Sequence, residues 1–539
     1  MTLIKFFVLA VCLATPQILL AKTQKYDLRA ETESFLLSVS GDQFNADNCS
    51  EKLNEAFDAL YSTKPTDFDV QRAISEMPSI IENLWQSRLS LRQRLRGFIK
   101  SEGFSKQVIT CATSTKQALR AIRYLEDYVG ELTLKPEPFD FDKYGKNKQV
   151  RKSDLINKNT PPHFLVHPSF DQITIQSGDV IISRGSAFTS AAIARIGEVD
   201  AQFSHLALVY IDQEFNHRAY SLEEAIKSPH VKVIEAHIEV GTTIRTFSEY
   251  LEDGNARLLF YRFQPEDLSA IEASAMAQRG AQFSFDFVNN YVSQQRAKRL
   301  QGWDDPDYGH IRPPIKEVDV NDNVPYDFQM QLGDTSEVFC SEWGYIAYNH
   351  VGVNLPQFPT AIPKENALSK ALGITVKETF APGDMDTETR FVLQGEWRDY
   401  RKVRNMRHKD AVLTKIFEWM EQDQWTFEVG FTKNLQALFA WITRHMDLEF
   451  TKDQLPKNMT VEALKTVFAL DKVGAELQKY TEAREKIYME ETGGLLMPFS
   501  EMLVQLETAR TDFVCKPWSP LYVVMGQTGL KVKDRSVCR

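Results

Sequence analysis

The chain lacks an excess of positive charge, a low-complexity tract and an internal repeat, and it has only six cysteines in 539 residues. A formal net charge of −10 argues against a protein that binds nucleic-acid phosphates, because such proteins carry a basic stripe. No apolar run reaches the ~20 residues that a stable transmembrane helix needs. What remains is ordinary globular composition, and a chain of this length exceeds what one hydrophobic core usually fills.

The first residues have the pattern of an export signal. Lys5 precedes the apolar run from Phe6 to Leu13, and Ala21 offers a small-residue cleavage point. We therefore predict a signal peptide over residues 1–21 and an exported protein, periplasmic or secreted into the cell envelope. Lipidation of Cys12 stays an open alternative, although Val11 is not the small residue that such processing prefers.

The cysteine count predicts one free thiol. If Cys12 leaves with the signal, an odd number of cysteines remains in an exported protein. The simplest pairing joins cysteines that lie in the same end of the chain, Cys49–Cys111 and Cys515–Cys538. It leaves Cys340 unpaired. A crossed pairing is the alternative.

Changes of hydrophobic period divide the chain into three regions, so the predicted class is α+β. Helical spacing of apolar residues dominates residues 22–160 and returns in residues 401–539, whereas residues 161–400 mix short β runs with helices. The predicted strands are Val180–Ser183, Leu206–Ile211, Val231–Ala236 and Arg257–Phe263. The predicted helices of the last two regions are Ser186–Ile196, Pro265–Gly280, Ser341–His350, Val403–Met420, Lys433–His445, Val461–Glu490 and Glu501–Asp512.

Cys340 follows a strand-like run, Val338-Phe339, and precedes a helix-like apolar run. A thiolate at a helix N-terminus is favoured by backbone N–H groups and by the helix dipole, and it acts as a nucleophile. A base is offered by His205, at the start of an alternating, strand-like run. The two residues predict nucleophilic catalysis by a Cys/His pair.

Several motifs around this pair resemble one family in the same order along the chain. They are Gly178-Asp179-Val180-Ile181, Ser204-His205, Val233-Ile234-Glu235-Ala236, Pro325-Tyr326-Asp327-Phe328, and Phe339-Cys340-Ser341-Glu342. Over residues 163–400 the chain resembles the YiiX/YebB-type NlpC/P60 cysteine hydrolases, a circularly permuted papain-like group in which the His strand precedes the Cys helix. The resemblance implies a permuted papain-like domain flanked by the two helical regions.

A third residue is needed to orient the imidazole by accepting its other N–H. Glu235 matches the family position and is preferred, but His237 lies two residues further on the same strand face and is the alternative. The backbone N–H of Cys340 is the expected oxyanion donor, with possible assistance from Tyr326.

Residues 283–324 form an insertion relative to the family pattern, and they predict either a surface loop that shapes the cleft or a packing flap. Its last residues, 319–325, partly resemble calcium-binding segments. Val324 stands where an EF-hand needs glycine, however, so an Asx-rich turn is favoured. No C-x-x-C pair occurs. We therefore predict no metal and no cofactor.

A Cys/His site performs acyl transfer, so amides, esters and thioesters all qualify as substrates. The leading hypothesis is an exported amidase or peptidase that acts on peptide or acyl-amide bonds of cell-envelope material. The alternatives are a lipid acyl hydrolase or acyltransferase, and a non-catalytic binding module. The sequence leaves open the natural substrate, the role of the helical regions and the oligomeric state.

Overall fold

The computed structural model describes residues 25–132, 164–185, 188–197, 202–238, 240–253, 255–301, 322–363, 369, 374–422, 425–427, 461–516, 518, 530–532 and 538. The predicted signal peptide and the predicted helix Lys433–His445 lie outside these residues. The described elements mix helices and sheet, as the sequence predicts. Among them, no helix is long and apolar enough to cross a membrane.

Five helices make up the described N-terminal region: α1 Leu28–Ser40, α2 Ala46–Ser62, α3 Val70–Ser75, α4 Met77–Glu102 and α5 Lys106–Glu131. Side-chain caps start several of them. Asn45 and Asn48 form a capping box at α2, and Ser105 accepts from the Val108 N–H at α5. A disulfide between Cys49 and Cys111 joins α2 to α5.

The central elements surround one large sheet. They are β1 Phe164–Val166, β2 Thr174–Ile175, β3 Val180–Arg184, α6 Phe188–Ile193, β4 His205–Ile211, β5 Tyr220–Ser221, α7 Leu222–Lys227, β6 Val231–His237, β7 Gly241–Thr246, α8 Phe247–Tyr250, β8 Arg257–Phe263, α9 Ala270–Gln301, α10 Glu342–His350, β9 Thr360–Ala361, β10 Glu378–Thr379 and β11 Phe391–Arg398. The order across the seven-stranded sheet is β1-β11-β8-β3-β4-β6-β7, and all neighbours are antiparallel.

Both faces of this sheet are buried, because alternate residues of each strand enter different cores. Val180, Ile182 and Leu208 belong to a core that also contains residues of α9, α10 and the N-terminal helices. Ile181 and Val209 face a second core built with α7 and α8. The four predicted central strands are confirmed, and His205 is the first residue of one of them, β4.

The C-terminal elements are α11 Tyr400–Gln422, β12 Trp425–Phe427, α12 Val461–Thr492, α13 Phe499–Cys515 and β13 Leu530–Val532. Helices α11, α12 and α13 share a core that includes Ala191 and Ala192 of α6. A second disulfide joins Cys515 to Cys538. Both disulfides are those that the cysteine count favours, and Cys340 is the free cysteine among the described residues.

Two local predictions are corrected by the structure, and one element is new. Val338 and Phe339 form no strand; they belong to a turn-rich segment, because Val338 N donates to Pro325 O rather than to a sheet neighbour. The helix predicted over Pro265–Gly280 continues to Gln301, so the start of the 283–324 insertion is helix and not loop. The small β12–β13 pair was not predicted.

Buried charges link the N-terminal helices to the sheet. Arg88 Nη1 lies 3.1 Å from Glu126 Oε2, and Arg88 Nη2 contacts Glu396. Arg257 Nε lies 2.9 Å from Glu396 Oε1. We call this group the buried ion cluster, and its members are Arg88, Glu126, Asp127, Arg257, Glu396 and Arg398. Three positive and three negative charges balance within it, which buried ions require.

Candidate active site

The predicted nucleophile and base lie together at the start of α10. Cys340 precedes Ser341, which caps α10, and its Sγ lies 3.7 Å from the carbonyl oxygen of Ser204. Ser204 is the neighbour of His205, and interaction with the Cys340 sulfur is one of the causes that raise the pKa of the His205 imidazole. Cys340 is only 2% exposed, whereas the His205 side chain keeps 17% of its surface, so the imidazole side is the open side of the pair.

Glu235 is the residue that the structure brings to the second imidazole nitrogen. His205 Nε2 lies 2.7 Å from Glu235 Oε2. Because Nε2 is engaged there, Nδ1 is the nitrogen left for Cys340. Glu235 and His205 stand on the adjacent strands β6 and β4, and the Glu235 side chain is fully buried.

His237 lies beside this chain of contacts rather than in it. Its ring stacks on His205 with centroids 5.1 Å apart, and its Nε2 lies 3.2 Å from Glu235 Oε1. It therefore contacts the carboxylate oxygen that His205 does not use. Of the two candidates, Glu235 has the geometry of an orienting group.

Arg245 on β7 completes the surroundings of Glu235, and the sequence analysis did not identify it. Its Nε donates to Glu235 Oε1 at 2.6 Å, its Nη2 contacts the same oxygen, and its Nη1 donates to Asp253 at 2.9 Å. In the β6–β7 register Glu235 faces Thr243, so Arg245 is its diagonal neighbour on the same face. Only the strand register reveals this, because Arg245 belongs to no motif of the sequence.

The protonation of the site follows from these contacts. Burial lowers the pKa of His205, but hydrogen bonds to Cys340 and Glu235, together with the Glu235 charge, outweigh burial and raise it to about 10. Burial alone would raise the pKa of Glu235, but the His237 charge and the hydrogen bonds to His205 and His237 hold it well below its usual range. At neutral pH the site therefore contains an imidazolium held by a carboxylate.

The turn that carries Cys340 is fixed by a buried carboxyl. Glu342 Oε1 accepts from the Gly333 N–H at 2.7 Å, and Oε2 faces the Phe339 N–H at 3.4 Å. Burial raises the pKa of Glu342 to about 8, although these N–H groups oppose the change. The sequence analysis placed Glu342 in the family motif without giving it a role.

Tyr326 lies on the segment that runs between β7 and the Cys340 turn. The Thr242 N–H donates to Val324 O at 2.9 Å. The preceding residue, Gly241, has a φ of +71°, and a Cβ added to it would lie 2.3 Å from the same oxygen. Trp343 of α10 also donates to Thr242 Oγ1 at 3.1 Å. Tyr326 is buried, and its assistance to the oxyanion stays a prediction.

The helical regions also reach the site. Gln202, three residues before His205, has a left-handed φ of 61°, and its side chain accepts from Arg123 Nε of α5 at 2.8 Å. Arg184, at the end of β3, donates to Asp410 of α11 at 2.6 Å. The loop that leads into His205 is thus held by α5, and the neighbouring strand end by α11.

His205, Glu235 and His237 also carry possible metal-ligand atoms within 4.8 Å of one another. The Arg245 guanidinium contacts Glu235 and lies 3.4 Å from His237 Nε2. The permanently charged Arg245 guanidinium therefore occupies the space beside the Glu235 carboxylate that a metal ion would need. We derive no metal chemistry from this cluster.

Comparison of the chain with models of protein families, with curated proteins and with solved structures found no match in any of the three. The likeness to the YiiX/YebB-type hydrolases therefore rests on the sequence motifs, and the permuted papain-like fold stays a prediction.

Proposed function

We propose that the chain is an exported thiol hydrolase that cleaves peptide or acyl-amide bonds, with cell-envelope material as the expected substrate. The observation that carries the proposal is the unbroken contact chain from Glu235 through His205 to Cys340. The two disulfides and the family-like order of the motifs support it. Disulfides persist in exported proteins and are rare in reducing compartments.

The geometry supports the following reaction. The Cys340 thiolate attacks the carbonyl carbon and forms a tetrahedral intermediate, whose oxyanion faces the Cys340 N–H at the start of α10. The His205 imidazolium gives its Nδ1 proton to the leaving amine, and a thioester remains on Cys340. His205, now neutral, takes a proton from water, and the resulting hydroxide releases the acid and restores the thiolate.

Glu235 acts on this cycle through His205. As a carboxylate it holds the Nε2 proton and stabilises the imidazolium, so Nδ1 stays directed at sulfur. Arg245 donates to Glu235 Oε1 and holds the orientation of the carboxylate. Both are positioning residues for the proposed reaction.

The test is active-site labelling of the purified full chain with two chloromethyl ketones, one on a short peptide and one on a fatty-acyl chain. We expect stoichiometric labelling of native protein, mapped by mass spectrometry to Cys340 and absent from Cys340→Ala. The preferred probe identifies the acyl class. Labelling restricted to denatured protein would contradict the proposal, and preference for the fatty-acyl probe would favour the lipid-acyl alternative.

A further inference from the structure

A cavity lies near the end of the sheet that is formed by β1 and β11. Its volume is about 530 Å³, and it is lined by α4, the residues after β1 and β8, and β11. Strands β8 and β3 separate β11 from the strand that carries His205. The proposed reaction therefore does not use this cavity, and the volume is in the range of small-molecule sites, roughly 300–1,000 Å³.

Two guanidinium groups line this cavity. Arg92 is 7% exposed and donates to main-chain carbonyls rather than to a carboxylate; the acceptors are Met385 O at 2.7 Å, Glu388 O at 3.0 Å, Phe391 O at 2.7 Å and Asp386 O. Arg96 donates from Nε to Thr389 O at 2.7 Å and from Nη2 to Gln264 O at 3.3 Å. Carbonyl oxygens satisfy the N–H groups but leave the net charge in place.

The carboxylates nearby are engaged elsewhere. Glu266 lies 3.9 Å from Arg96 Nη1, but its side chain is 50% exposed and it binds Lys100 at 3.1 Å. Glu388 also acts on Arg96 electrostatically, but it binds Arg390 at 2.7 Å. Among the described lining residues, the positive charges of Arg92 and Arg96 thus outnumber the single carboxylate of Glu266.

Two lining groups respond to this positive field. Burial and the Arg92 charge lower the pKa of Arg96, and the same two causes lower the pKa of His167. His167 Nδ1 accepts from the Ser169 N–H at 3.1 Å, which leaves Nε2 as the N–H donor of the neutral ring. Ser90, Gln93 and Ser169 add neutral hydrogen-bonding groups to the wall.

We propose that this cavity binds a small organic anion whose phosphate or carboxylate group pairs with Arg96. Arg96 Nε and Nη2 donate to carbonyl oxygens, so Nη1 is the nitrogen that offers donors to an anion. A half-buried site strengthens such a charge-assisted hydrogen bond. Leu89, Phe170 and Leu393 provide apolar wall for the rest of the ligand. The inference is independent of the reaction proposed for Cys340.

Isothermal titration calorimetry of the full chain tests the proposal with glycerol 3-phosphate and with succinate. We expect saturable binding of at least one, weakened at least tenfold in Arg96→Gln. Gln93→Glu gives a second variant, because Gln93 is exposed on α4 and the change adds a negative charge to the wall without removing a structural contact. Arg94→Gln is the matched control, since Arg94 also lies on α4 but contacts Asp42 and does not line the cavity.

The outcomes separate the two ligand groups and can overturn the site. Binding of glycerol 3-phosphate alone assigns phosphate, and binding of succinate alone assigns carboxylate. Absence of saturable heat from both at millimolar concentrations refutes the proposal. Undiminished binding in folded Arg96→Gln and Gln93→Glu proteins, checked by circular dichroism, refutes it as well.

Discussion

Replacement of Glu235 by glutamine gives the sharpest test of the candidate site. The change keeps the size of the side chain but removes the charge that His205 Nε2 contacts at 2.7 Å. We expect the pKa of His205 to fall and the alkaline limit of kcat/KM to fall with it. The reason is that the imidazolium loses the carboxylate that stabilises it.

The magnitude follows from the surroundings of His205. The pKa lies about 3.5 above the ordinary value of 6.5, against the effect of burial, and Glu235 raises it both by a hydrogen bond and by its charge. Each pKa unit that the variant loses corresponds to about 1.36 kcal/mol less stabilisation of the imidazolium relative to the neutral ring, or about tenfold in that equilibrium. The alkaline limit should move below pH 10 by the same amount as the pKa of His205.

Histidine-selective ¹³C labelling and NMR titration of the full chain measure this pKa without a known substrate, and His205→Ala assigns the resonance. Once the probes identify an amide substrate, the pH dependence of kcat/KM gives the same quantity by activity. His237→Asn is the matched comparison, because His237 contacts Glu235 Oε1 but not His205 Nε2. We expect that variant to change the pKa of His205 much less.

Two results would refute this reasoning. One is an unchanged pKa of His205 in a folded Glu235→Gln protein. The other is a silent Glu235→Gln together with a His237→Asn variant that loses activity or the alkaline limit, which would transfer the orienting role to His237. Thermal unfolding of each variant distinguishes a local change from loss of the fold.

Two further predictions concern the base and the Cys340 turn. His205→Ala should reduce the rate by roughly 10²–10⁴, the range for a positioned base, whereas His230→Ala, at a half-exposed site beside Asp212, should not; equal rates in both would end the Cys/His proposal. Burial raises the pKa of Glu342 to about 8, so the native state holds a proton that the unfolded state releases above pH 4.5, and stability should fall between pH 4.5 and 8. Glu342→Gln keeps an acceptor for the Gly333 N–H and cannot ionise, so its Tm should fall less between pH 5 and pH 9 than that of the unchanged chain; equal falls would contradict this assignment.

The central strands and the pairing of Glu235 with His205 were within reach of the sequence. Alternation placed His205 at the start of a strand, the family resemblance supplied Glu235, and the alternative His237 arose because residues two apart share a strand face. The structure favours Glu235 over His237 as the orienting residue, because His205 contacts Glu235 Oε2 and His237 contacts Glu235 Oε1. Sequence spacing does not predict this difference of a few ångströms.

Arg245, Arg123 and the buried ion cluster were not predictable in the same way. Their partners lie on other elements, and which strand or helix faces which is fixed by tertiary packing rather than by local pattern. From the sequence, a single arginine in a strand or helix is expected to be solvated, yet Arg88 is only 1% exposed. Helix α9 extends beyond its predicted end at Gly280. This glycine does not end the helix; it allows close packing against the Ala347 carbonyl.

The buried ion cluster makes the stability of the sheet depend on the N-terminal helices. The sheet contributes two positive charges and one negative charge, and the N-terminal helices contribute one positive and two negative, so neither half is neutral alone. Loss of one partner from such a cluster leaves an uncompensated buried charge, which costs ~3–5 kcal/mol. The sheet and the N-terminal helices should therefore unfold together, and neutralising one member on either side should lower the stability of both.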